Sequence, residues 1–161
     1  MAFESITDAK VEELLNLPKR VTNTNTRAKL KECHEQMNYT VVCTSDDKYR
    51  FELYTRQNKL EGMEDDFSCG LNWVAANGET LTLCRYNGSS HNHPNHLENE
   101  KLGYSCHIHK ATERYILANR KPEGFAVKTE QYYTLKGALH CLIHDCHISG
   151  IQTEQDLPKL F

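Results

Sequence analysis

The apolar residues of this chain fall in short runs whose spacing changes twice along its length. Ile6, Val11, Leu14 and Leu15 recur at helical steps, with Ser5 or Thr7 placed to cap the start and Pro18 beyond the end, which predicts a short amphipathic helix. The polar run Thr22-Asn23-Thr24-Asn25-Thr26 has no apolar period and reads as a loop, after which residues 27–36 suit a second, mostly exposed helix. The period then becomes two. Residues 39–42 and 48–56 alternate around the turn formers Ser45-Asp46-Asp47, and residues 67–75 and 80–86 flank Asn77-Gly78, the strongest short hairpin signal.

The stretch 87–101 is rich in Gly, Ser, Asn and His and reads as a long loop, followed by a fifth strand over 102–109. Helical spacing returns after Thr134, a natural N-cap, where Leu135, Ala138, Leu139, Leu142, Ile143 and Cys146 form one apolar stripe. The whole predicts a single α+β domain over 1–161. Residues 1–38 form an N-terminal helical segment at one end, 39–110 a curved antiparallel sheet of about five strands, and 134–148 a C-terminal helix packed on that sheet.

Composition narrows the function more than the fold. No apolar run reaches the roughly 18 residues that span a bilayer, and the first residues lack the layout of a signal peptide, so a cytoplasmic chain with no membrane partner is expected. Seven cysteines with no C-x-x-C pair are then expected to be reduced thiols. A net charge of -3 excludes a broad positive field for nucleic acid but leaves room for a local basic site. Nine histidines are the one oddity, because imidazole binds metals and moves protons near neutral pH.

Most of these histidines lie between His91 and His109. On a strand His107 and His109 share a face, with Arg85 expected on a neighbouring strand. That group suits phosphodiester cleavage without metal or other cofactor: His107 and His109 act as base and acid, exchangeable with His91 or His93, and Arg85 binds phosphate. Solvated histidines with no task give the same pattern. The alternative is a metal site built from His91, His93, Glu98 and His109, since His91-x-His93 followed by Glu98 and Gly103 is similar to part of the first cupin motif. The second cupin motif is absent after Pro122-Glu123-Gly124, and His91-Asn92-His93-Pro94 resembles the core of JAMM zinc hydrolases without their Ser-x-x-Asp. His140, His144 and His147 share a face of the last helix but lack the glutamate of an HExxH site, and read as its solvated side.

Four segments carry a wider resemblance: Arg85-Tyr86-Asn87-Gly88, the His-rich loop that follows it, the run from Cys106-His107-Ile108-His109 to Thr112-Glu113-Arg114-Tyr115, and Gly124-Phe125-Ala126. Together they resemble an uncharacterised bacterial family of small α+β proteins, over residues 51–148. More distantly, a strand end of this type followed by a His-rich loop and a His-x-His strand is similar to TumE-type toxins of toxin-antitoxin pairs. That resemblance implies an RNA-directed, toxin-like ribonuclease with RNA as substrate and an antitoxin as protein partner. The chain departs from it in its longer N-terminus and in the loop between Gly88 and Cys106. The opposing expectation is a non-enzymatic inhibitor or interaction protein of a mobile or defence-linked system, whose Asp46-Asp47 and Glu64-Asp65-Asp66 clusters imitate phosphate.

Overall fold

The computed structural model describes residue 3 and residues 5–23 and 27–151; the tip of the loop expected at 22–26 lies outside the described residues. The protein is mostly β, with eleven strands and three helices among those residues, and this overturns the five-stranded α+β arrangement. After α1 (Asp8–Asn16) come β1 (Lys19–Val21), β2 (Lys29–Lys31), β3 (His34–Cys43), β4 (Arg50–Asn58), β5 (Phe67–Val74) and β6 (Thr80–Asn87). Then follow β7 (Asn92–Asn95), β8 (Glu100–Tyr104), β9 (His107–Lys110), α2 (Glu113–Leu117), β10 (Phe125–Lys128), α3 (Leu135–Asp145) and β11 (Ile148–Ser149). One large sheet runs in the order β10-β9-β6-β5-β4-β3-β1-β11, with β2 also on β3, and β7 and β8 form a separate pair.

Three expectations fail for identifiable reasons. The second helix expected at 27–36 is instead β2 and the start of β3, joined by a tight turn with Glu32 at φ 56°. Its polar residues gain a ladder with β4, where His34 faces Asn58 and Gln36 faces Arg56, and that pairing overrides local helix preference. The long loop folds into the β7–β8 hairpin, and the single strand expected at 102–109 is broken into β8 and β9 by Ser105-Cys106. Among its described residues the N-terminal segment therefore holds only one helix.

Alternation gives the sheet two unlike faces. Phe51, Leu53, Cys69, Leu71, Leu83, Cys84 and Tyr86 are buried with Val11 and Leu14 of α1 and Ala138 and Leu142 of α3 in one core. The opposite face is polar. In β6 the apolar phase slips from Leu81 and Leu83 to Cys84 and Tyr86, because a bulge at Leu71/Asn72 inserts one residue. That slip turns Arg85 and Asn87 onto the polar face, opposite Gly70 and Ser68.

Lys19 is buried between the two long helices. Its ammonium donates to the carbonyls of Leu15 in the last turn of α1 and Leu17 just past it (both 2.9 Å) and of Cys146 after α3 (2.8 Å), which satisfies acceptors at both helix ends. Thr134 caps α3 as expected, its Oγ1 accepting from the Gly137 N–H at 3.1 Å. Thr134→Ala should cost about 1 kcal/mol in urea unfolding, a loss that Thr134→Ser should largely restore. Among the described residues no helix is long and apolar enough to cross a membrane.

Candidate metal centre

The β9 strand pairs antiparallel with β6 and β10, so that Arg85 faces His109 and Asn87 faces His107 on the polar side. A cleft-facing histidine pair is not what results, because both rings are almost wholly buried, at 1% and 2% exposure. The β7–β8 hairpin covers them. It is fastened by Asn95, fully buried, whose amide pairs with the free edge of β10 as a strand backbone would. Asn95 Nδ2 donates to the Ala126 carbonyl at 2.8 Å, and the Ala126 N–H donates to Asn95 Oδ1 at 2.9 Å. This places His93 against the other two rings, stacked on His107 with centroids 5.4 Å apart and edge-on to His109 at 4.5 Å.

Each ring has one nitrogen against a backbone carbonyl, which can only accept. His107 Nδ1 donates to Ser105 O at 2.9 Å, His109 Nδ1 to Glu123 O at 2.8 Å, and His93 Nε2 to Gly124 O at 2.8 Å. The tautomers are thereby set, leaving lone pairs on His107 Nε2, His109 Nε2 and His93 Nδ1. One ring nitrogen from each lies within 4.8 Å of the others. Burial keeps His109 uncharged: it pushes that imidazole down to about 2, with Arg85, His107 and His93 adding repulsion. Burial also lowers His107, and His93 and Arg85 act in the same sense.

The other expected residues lie apart from this cluster. His91 is exposed on the rim of the polar cavity described below, beside Asp66. Glu98 is exposed and accepts from the Tyr115 hydroxyl (2.7 Å) and Arg114 Nε (2.9 Å), so it does not join the rings. His96 is exposed and lines a groove that His93 also borders. Of the alternative metal set, His93 and His109 come together, and His107 stands where His91 and Glu98 were expected. His144 and His147 are exposed on or just past α3.

Arg85 joins this cluster to the rest of the polar face. Gly70 separates it from Tyr54 of β4, and a Cβ at Gly70 would stand 2.7 Å from the Tyr54 ring and hydroxyl. The missing side chain lets Tyr54 lie across β5 toward Arg85; burial pushes the phenol up to about 12, with the guanidinium opposing. One row across the sheet therefore reads Tyr54, Gly70, Arg85, His109, Ala126. Sequence reasoning missed Asn95 and Tyr54. A lone glycine inside the β5 alternation was the one available hint of close approach, and nothing local marked Asn95.

Comparison with known proteins finds no matching family model, no similar curated protein and no similar solved structure.

Proposed function

We propose that the chain is a metal-dependent enzyme whose centre is one divalent transition-metal ion held by His93, His107 and His109. The observation that carries this is the set of three carbonyl-anchored rings: a hydrogen bond on the far nitrogen fixes the tautomer and orientation in which imidazoles bind metal. Protein ligands that number three leave a position for water or substrate, the composition of catalytic zinc sites, where bound water loses its proton near neutral pH. Hydrolysis is the reaction this arrangement best supports.

The metal-free, toxin-like ribonuclease expected from sequence draws less support. A ring held down to about 2 carries no proton to give at neutral pH, and the Nδ1 hydrogen of His109 is already committed to the Glu123 carbonyl. The test is titration of chelator-treated protein with Co(II) and Zn(II). One equivalent should bind, Co(II) should show the visible absorption of a four- or five-coordinate ion, and Zn(II) should displace it. Absence of stoichiometric binding by either ion would remove the reading.

A further inference from the structure

We infer that the polar face of the sheet carries a separate binding site for the oxyanion of a small polyhydroxylated molecule, a sugar phosphate or sugar acid, anchored by Arg85. The site is a cavity of about 410 Å³, within the range of small-molecule pockets, and neither His107 nor His109 lines it. Among the described residues only two buried side-chain polar atoms lack a hydrogen-bond partner, Arg85 Nε and Asn87 Oδ1, and both residues line this cavity. A buried donor and a buried acceptor left unpaired carry their full desolvation cost, a penalty that a ligand with an anionic oxygen and a neighbouring hydroxyl removes.

The register shows how such a ligand lies. Arg56, Ser68 and Asn87 form one row across β4, β5 and β6, Tyr54, Gly70 and Arg85 the next, and Glu52, Asn72 and Thr82 a third. Arg85 and Arg56 therefore bracket Ser68 at one end, where a carboxylate or phosphate fits with charge-assisted hydrogen bonds. Arg85 makes no ion pair among the described residues. Asp66 on the rim is occupied by Asn58 (3.0 Å), His34 (3.3 Å) and Ser90 (3.4 Å). At the other end, about 7 Å per row away, Glu52 offers an acceptor to a hydroxyl and Asn72 an amide donor, its Oδ1 already accepting from Thr82 (2.9 Å), and the Glu52 carboxylate disfavours a second anionic group. A charged head and a neutral, hydroxylated tail match this polarity.

The experiment uses the full chain freed of metal, so that it stands independently of the proposed centre. Calorimetry with glucose 6-phosphate, gluconate, glucose and inorganic phosphate should show saturable binding of the sugar phosphate or the sugar acid, and whichever binds names the head group. Glucose and inorganic phosphate should bind at least about tenfold more weakly. Arg85→Gln should lower affinity for the sugar anion by about tenfold or more while still taking up one Co(II), and Glu52→Gln should weaken the sugar anion but not inorganic phosphate. Failure of both sugar anions to bind, affinity unchanged in Arg85→Gln, or saturable binding of a single-stranded RNA hexamer in their place would overturn the assignment.

Discussion

Alanine at His107 or at His109 is expected to weaken Zn(II) binding by about 10²- to 10³-fold, because four-ligand protein sites hold zinc with about 10–16 kcal/mol, or roughly 3 kcal/mol for each ligand. His93→Ala should do the same, although His93 lies on a different strand pair and its ring is stacked on His107 rather than covalently near it. His91→Ala and Glu98→Ala should leave the affinity unchanged, since His91 is on the cavity rim and Glu98 is held by Tyr115 and Arg114. Competition titrations against a chromophoric chelator read all five variants on one scale. Equal loss from His91→Ala would show that the rings rearrange around an ion in a way this geometry does not describe.

The second large effect is in acid. His109 has a folded value near 2 against about 6.5 in an unfolded chain, so on acidification the unfolded state takes up a proton that the folded ring refuses. Stability from this ring is therefore fully present above about pH 6.5 and is lost as pH falls, by up to about 1.4 kcal/mol per pH unit. His107, lowered in the same direction, steepens the decline. Urea unfolding of metal-free protein between pH 7.5 and 4.5 measures it. The slope should become shallower by about 1.4 kcal/mol per unit in His109→Asn, whatever that substitution does at pH 7.5. Parallel slopes would mean that the folded ring is readily protonated and the cluster is open to water.

Much of the sheet was legible because its strands alternate. The Asn77-Gly78 hairpin, with Gly78 at φ 87°, forms as expected between β5 and β6, and the Thr134 cap with Ala138 and Leu142 marks α3. The strands that escaped notice are those without an apolar face. β2 is exposed throughout, and β7 contains Pro94 and two asparagines, so both owe their conformation to a partner rather than to a period. The candidate site divides the same way. His107 and His109 share a face by simple alternation, and Arg85 faces His109 on the neighbouring strand. The third ring depends on Asn95 docking on Ala126, 31 residues away, and no spacing rule carries that information.

One pairing bears on how the protein is made. The strand β1 is hydrogen-bonded on one side to β3 and on the other to β11, in parallel, and Lys19 takes its last acceptor from Cys146, 127 residues further along. A ribosome adds roughly 5–20 residues per second, so an ammonium destined for burial and a strand edge wait on the order of ten seconds for partners not yet synthesised. Through that interval the nascent chain exposes an unpaired β1 edge of the kind that chaperones shield and neighbouring chains capture. A polypeptide halted before residue 146 accordingly lacks both the strand that covers this edge and the last acceptor of the buried ammonium, however complete its central strands.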